Sequence, residues 1–344
     1  MESTIPFAVS VVIPVFNAEA FVARAVQSAL IQPEVAEVVL VEDGSLDGSL
    51  DACSQLVGRY PDRVRLFRHP NGINLGAGPS FNFGIRQAQS PFIAFLGADD
   101  YFLPGRFTRD AELLSADPRL DGVYNALGTD FLNEEGKTWW TQGKPPPSLT
   151  TLLDPPSPEL LFFEMNPIGK RGYFSFDALT VRRTIFDKAA WFSDLRLSQD
   201  TLLRIQFAAV CRLAGGQTAT PVAMRGVHAD NRIKDAAGLL IAKKKVYLEL
   251  LAWSTQRPLP RIRRRAIQKL VLAICRDAQT LNAAVGMDPS IRFTPWFPIA
   301  VLRVWMYRLG SLRWVVCRRT HDDIILPGVF PGLRRKLRNR STES

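Results

Sequence analysis

The strongest constraint on the fold is a rhythm in the first hundred residues. Short runs rich in β-branched residues alternate there with longer stretches of helical spacing. VSVVIPV at 9–15, VAEVVLVE at 35–42, RVRLF at 63–67 and PFIAFL at 91–96 each have the length and composition of a strand. Between them, residues 18–31 set Phe21, Val22, Ala25, Val26 and Ala29 on one helical face. Leu50, Leu56 and Val57 do the same after the second run, and residues 77–88 after the third. Near-continuous apolar strands are covered on both faces, and helical crossovers join parallel neighbours. The expected fold class is therefore α/β, a doubly wound and mostly parallel sheet.

A Pro-rich segment at 144–158 interrupts this rhythm and reads as loop or extended chain. Beyond it, residues 177–186 read as a strand leading into a helix, 200–213 as an apolar helix and 217–228 as a strand. From about residue 231 the chain turns basic and helical, which divides it into a domain over 1–232 and a basic helical region over 233–344. The chain has 344 residues, and residues 231–344 hold 23 Lys/Arg against 7 Asp/Glu, whereas residues 1–230 hold 20 against 26. With 47% hydrophobic residues, global disorder is excluded. Cys53, Cys211, Cys275 and Cys317 form no CxxC pair and suit a reducing compartment. The N-terminus reads as a strand and lacks the pattern of a signal peptide. No run reaches the roughly 18 apolar residues of a spanning helix. The expectation is a cytoplasmic protein.

In open α/β sheets, ligands gather outside the carboxyl ends of the strands. Phe16-Asn17-Ala18-Glu19 follows the first strand, and Asp43-Gly44-Ser45 the second. NGINLGAGPSFNFG (71–84) follows the third, and Gly97-Ala98-Asp99-Asp100 the fourth. Taken singly, DGSLDGS (43–49) is also good turn and cap chemistry, and Asp99-Asp100 could open a helix ahead of Pro104. Convergence on one sheet edge favours a site. There is no GxGxxG after the first strand, no GxxxxGK[ST] and no GxSxG elbow. What remains is carboxylates, which repel a diphosphate unless a hard divalent ion, Mg²⁺ or Mn²⁺, bridges the two.

VSVVIPVFNAE, VEDGSLDGS, the spacing NxGxxxSxNxG from Asn74 to Gly84, and LGADD together resemble a family 2 glycosyltransferase of GT-A fold, over roughly residues 8–232. The resemblance implies an inverting transfer from a nucleotide-diphosphate sugar, UDP-linked by analogy, to a hydroxyl of a glycan or lipid-linked acceptor. Pro14, Phe16, Asn17 and Glu19 would then lie along the nucleotide and Asp43 would take the base. Ser45, Asn74, Gly78, Ser80, Asn82 and Asp100 would complete the nucleotide-sugar site, and Asp99 would hold Mn²⁺ or Mg²⁺. Asp200, in Ser198-Gln199-Asp200, matches the family's general base. It is also a candidate N-cap for the helix behind it. Arg225 and His228 resemble the start of the family's RxxHxxN pattern, Arg225 meeting a phosphate and His228 the metal or diphosphate. The chain departs from the family where Gly97 replaces the first acid of DxD, Phe81 an Arg, Glu42 an Asp and Gln199 a Glu. His69 and His321 read as structural.

The basic third interleaves Lys243–Lys245, Arg261–Arg265, Arg318-Arg319 and 334–340 with Trp296, Trp305, Tyr307 and Trp314. These suit peripheral attachment to an anionic membrane surface, where each cation adds about 1 kcal/mol. Arg303, Arg308 and Arg313 splay around a helix, and Gly310 is a point at which two short helices would separate. Nucleic acid is disfavoured as a partner because no RRM, KH or zinc-finger pattern is present. A catalytically inactive sugar-nucleotide binder of the same fold is the alternative function. Retention of Asp43, Asp99 and Asp200 argues against it.

Overall fold

The computed structural model describes residues 7–142, 155–228 and 236–316. The first hundred residues follow the expected alternation: β1 (Val9–Val15), α1 (Val22–Leu30), β2 (Val35–Glu42), α2 (Ser49–Arg59), β3 (Val64–Arg68), α3 (Ala77–Gln87) and β4 (Phe92–Phe95). Next come β5 (Tyr101–Phe102), α4 (Thr108–Ala116), β6 (Gly122–Tyr124), β7 (Ala126–Phe131) and α5 (Glu134–Gln142). After them are α6 (Leu161–Glu164), β8 (Leu179–Arg182), α7 (Ile185–Lys188), α8 (Gln199–Val210), β9 (Leu213–Gly215) and β10 (Pro221–Val227).

The main sheet has the order β3-β2-β1-β4-β8-β6-β9. Its β1–β2, β2–β3, β1–β4 and β6–β9 pairs are parallel, and β8 runs antiparallel to both β4 and β6. A smaller sheet, β5-β10-β7, stands beside it. Period-two alternation sorts the side chains of the central strands. Val9, Val11, Ile13 and Val15 of β1, with Val38 and Leu40 of β2, join the α1 and α2 residues Val22, Ala25, Cys53 and Leu56 in one core. Val12, Val39 and Val41 face the other way, onto Ile85 of α3 and Leu202, Leu203 and Phe207 of α8. The sheet is therefore wound with helices on both faces.

Four further helices follow: α9 (Ala236–Gln256), α10 (Arg261–Ile274), α11 (Ala278–Met287) and α12 (Phe297–Val316). Tyr247, Leu250, Ile267, Val271 and Ala284 are continuous with the second core, so these helices extend the body of the protein on the α8 side. The expected break at Gly310 is corrected, because α12 runs through it as one helix. A single glycine costs a helix interior only about 1 kcal/mol, too little by itself to divide a helix of 20 residues. The domain boundary at 232/233, the segment 143–154 and the basic clusters beyond residue 316 lie outside the described residues. Among the described residues, no helix is long and apolar enough to cross a membrane.

Candidate active site

The turns after β1 and β2 are tied together by their own polar side chains. Asn17 takes a left-handed backbone conformation (φ 49°), and its side-chain carbonyl accepts the Leu46 amide at 2.9 Å. The Asn17 amide in turn donates to Ser45 Oγ at 3.1 Å. Glu19 accepts the Gly48 amide at 3.0 Å, while the Glu19 amide donates to Asp47 at 3.2 Å. Burial alone would raise the Asp47 pKa, but bonds from Ser49 and from the Glu19 and Ser49 amides hold it below the usual range. Glu42 is fully buried and accepts Arg68 Nε at 2.6 Å and the Ser45 amide.

Asp43 shapes the next loop. Its carboxylate accepts the amides of Leu75 (2.7 Å) and Gly76 (2.9 Å), and its backbone carbonyl accepts the Asn74 side chain at 2.9 Å. Arg196 closes the loop from outside, donating to the Asn74 carbonyl at 2.9 Å and to the Asn74 side chain. Ser80 is fully buried and pairs with His69 at 2.8 Å. Asn82 exchanges two bonds with the backbone of Phe192, at 2.8 and 3.0 Å. A Cβ on Gly78 would lie 2.4 Å from the Ser193 carbonyl, so α3 and the 192–193 loop touch only because residue 78 has no side chain.

The result is a cavity of about 280 Å³ at the carboxyl ends of β1, β2 and β4. Pro14, Phe16, Asn17, Asp43, Asp99 and His228 line it, with Phe21, Phe81 and Gly97 completing the wall. Asp99 Oδ2 lies 3.2 Å from His228 Nε2, and Phe21 stacks on the imidazole at 5.0 Å. Arg24 donates to the Asp99 carbonyl (3.0 Å) and pairs with Asp130 at 3.3 Å, its guanidinium resting 4.3 Å from the Tyr101 ring centroid. Phe81, where the family pattern has Arg, stacks on Phe192, so that wall is aromatic. Asp99-Asp100 opens no helix and leads directly into β5.

Asp100 turns inward and accepts the Gly226 amide at 2.9 Å. Burial raises its pKa well above the usual range, and Asp177 and Asp99 add to this, against Arg225. Asp177 accepts the Gly97 amide (3.2 Å) and Arg225 Nη2 (3.3 Å), and Arg225 also reaches Ser175 at 3.2 Å. Arg225 forms part of a second cavity, of about 370 Å³, that opens on Asp200. The helix N-cap is Ser198, so Asp200 sits in the first turn of α8 with its carboxylate half-exposed. The Asp177–Arg225 pair is thus a partition, one side touching the Gly97 backbone of the first cavity and the other facing Asp200.

Residues 10–165 match the model of glycosyl transferase family 2. That stretch, somewhat under half of the chain, is similar to glycosyltransferase family 2. Over 121 residues the chain is 40% identical to the succinoglycan biosynthesis protein ExoU of Rhizobium meliloti, covering 34% of this chain and 32% of that protein. Over 132 residues it is 36% identical to an uncharacterized glycosyltransferase of Nostoc, covering 38% and 39%. The chain spans at most about two fifths of the length of these curated relatives. S. aureus TarS 1–349, solved in complex with UDP-GlcNAc, superposes with a TM-score of 0.57 at 14% identity over 93% of this chain and 95% of that one. The shared fold is GT-A.

The fold thus gathers Pro14, Phe16, Asn17, Asp43, Asp99 and His228 on one cavity and Arg225 and Asp200 on its neighbour. Glu19, Ser45, Asn74, Gly78, Ser80, Asn82 and Asp100 build the walls from behind. Asp177 and Ser175 escape a search confined to the carboxyl ends of strands, because β8 is antiparallel to β4 and its amino end arrives at the same edge. Arg24 and Arg196 carry no sequence signal of their own. Among the described residues no group of three or more metal-ligating side chains occurs. The Asp99 carboxylate suits Mn²⁺ or Mg²⁺ when a diphosphate supplies further oxygens, whereas the His228 imidazole nitrogen is a poor ligand for Mg²⁺ and fits the softer Mn²⁺ better.

Proposed function

We propose that this protein is an inverting glycosyltransferase that moves a sugar from a nucleotide-diphosphate donor, UDP-linked, to a hydroxyl of a glycan or lipid-linked acceptor. One observation carries the reading: the Asp99–His228 pair and the half-exposed Asp200 stand on opposite sides of the Asp177–Arg225 partition. The first cavity is taken as the nucleotide site, its floor set by Asp43 and its lid by the 74–76 loop. The second is taken as the acceptor site. There Asp200 accepts the proton of the attacking hydroxyl as that oxygen closes on the anomeric carbon from the face opposite the leaving group. The nucleotide diphosphate leaves on the Asp99 side. Asp99 and His228 would hold a divalent ion, which would supply positive charge against that leaving group. The binding of UDP-GlcNAc by TarS, and of GDP-Man and Mn²⁺ by the mannosyltransferase PcManGT from Pyrobaculum calidifontis, is consistent with such a donor.

Peripheral attachment to an anionic membrane belongs to the same proposal. It is supported by the exposed Ile299, Leu302, Trp305, Met306 and Tyr307 of α12, with Arg303 among them. Sedimentation with vesicles containing phosphatidylglycerol, against neutral vesicles, tests that part. For the reaction, thermal denaturation with a panel of nucleotide diphosphates is run with and without Mn²⁺, on wild type and Asp99→Ala. The expected result is a metal-dependent stabilisation by one nucleotide that Asp99→Ala abolishes. No stabilisation by any member refutes the reading. The anomeric configuration of the product, read by NMR, checks inversion.

A further inference from the structure

The second cavity holds an imbalance of charge. Arg196, Arg204 and Arg225 all line it, against the single lining carboxylate of Asp200. Two of these guanidinium groups have duties elsewhere: Arg196 grips Asn74, and Arg225 is paired with Asp177. Arg204 is different. Its side chain is 6% exposed, yet Nη1 donates to the Phe174 carbonyl (3.1 Å) and Nη2 to Thr201 Oγ1 (3.1 Å), both neutral oxygens, and Nε is buried with no partner. The nearest carboxylate is Asp200, at 4.0 Å, outside hydrogen-bond distance. A buried guanidinium is costly unless an anion shares its surroundings. The Tyr173 ring 4.2 Å from Arg204 offsets part of that cost and supplies no acceptor for the orphan N–H. Burial accordingly pulls the Arg204 pKa below its ordinary value, against the opposing effect of Asp200.

The cavity also has an outlet. Arg196 and Leu197 are shared with a neighbouring cavity that continues to Ile241 and Lys245 of α9. That one shares Ile241 and Lys245 with a third, which reaches Lys244 and Leu248. A furrow with aliphatic walls thus leads away from Asp200 toward α9, its lysines balanced by Asp194 and Glu249 and, at Lys244, by the 2.7 Å ion pair with Asp277.

We propose that the acceptor is an anionic glycan: a carboxylate or phosphate close to the attacking hydroxyl is held by Arg204 and Arg225, and the rest of the acceptor leaves along the α9 furrow. This rests on the reading of Asp200 as the acceptor base and names the acceptor's chemical class. It accounts for the under-compensated Arg204 charge beside Asp200.

The test is run on the full chain with UDP and Mn²⁺ saturating, so that the nucleotide cavity is filled and an added sugar must bind elsewhere. Affinities of methyl β-glucuronide, glucose 6-phosphate and methyl β-glucoside are measured by ligand-observed NMR on wild type, Arg204→Met and Lys245→Gln. We expect the charged sugars to bind at least about tenfold more tightly than the neutral one, as a charge-assisted bidentate contact gives. Arg204→Met is expected to abolish that preference, and Lys245→Gln to leave it intact for these single sugars. Equal affinity of the three sugars for the wild type overturns the proposal without recourse to any variant. A charge preference that survives in Arg204→Met overturns it as well. Turnover comparing UDP-glucuronate with UDP-glucose on a neutral acceptor locates the charge: a marked preference for the uronate donor assigns the arginines to the donor sugar and refutes the acceptor assignment. Failure of UDP and Mn²⁺ to stabilise the wild type at the outset is a different result, refuting the glycosyltransferase reading itself.

Discussion

Gly97 occupies the position where the family pattern has its first acid, and the structure gives a reason. A Cβ there would lie 2.5 Å from Asp100 Oδ2 and 2.9 Å from Asp99 Oδ1. Carbon–oxygen contacts close at roughly 3.3 Å, so the two carboxylates would have to retreat by about 0.8 and about 0.4 Å. Asp100 has nowhere to go, since it is 5% exposed and holds the Gly226 amide at 2.9 Å. Displacing it strands a buried N–H, at a cost of about 1–3 kcal/mol. Asp99 would move with it, and under the proposed role of Asp99 in holding a metal, disturbing the groups that orient it is expected to weaken affinity about 10–100-fold. Gly97→Ala is therefore expected to lose about 2 kcal/mol by urea denaturation. Its Mn²⁺-dependent UDP affinity should fall about tenfold or more by calorimetry. Gly97→Asp, which restores the family's acid, should fare no better, because the new carboxylate meets two others at close range. A Gly97→Asp protein with an unchanged urea midpoint and tighter Mn²⁺–UDP binding would refute this reasoning.

Three other outcomes are expected. Asp200→Asn should lower transfer by about 10²–10⁴-fold while UDP binding stays within about twofold; a parallel loss of UDP binding would show that Asp200 organises the nucleotide site instead. Arg196→Ala removes both bonds that close the Asn74 loop and should weaken UDP binding about fivefold to tenfold, as the loss of one charge-assisted contact does; unchanged calorimetry would mean that Asp43 alone suffices. Asp277 caps α11 through the Thr280 amide, and hydrogen bonds from Lys244 and that amide pull its pKa down to about 2. The folded value lies below the unfolded one, so its contribution is full above about pH 4 and is lost as the pH falls toward 2. Asp277→Ala should thus cost about 1 kcal/mol at pH 7 and less at pH 3, read from urea midpoints, and a penalty independent of pH would contradict the cap.

The sequence by itself determined β1 to β4, α1 to α3 and the edge on which their polar termini meet. Runs such as VSVVIPV and VAEVVLVE are buried on both faces, and that local composition needs no distant partner to declare itself. Asp43, Asp99 and Asp200, singled out beside apolar runs, line the two cavities. The direction in which a side chain faces was not legible in the sequence. Ser80, Asn82 and Asp100 stand beside the first cavity in sequence, but helical rotation and strand pleat turn them onto His69, the Phe192 backbone and the Gly226 amide. The short strands β5 to β7 and β9, two to six residues long, were also missed, because they take their pairing from neighbours and carry little pattern of their own. Tertiary structure alone decided the partition between the cavities. Asp177 reaches Gly97 across 80 residues and Arg225 across 48, and His228 meets Asp99 across 129. Those meetings depend on β8 running antiparallel within a parallel sheet and on β10 pairing with β5. Strand direction and neighbour choice are global outcomes of closing two cores at once, and no local stretch of residues encodes them.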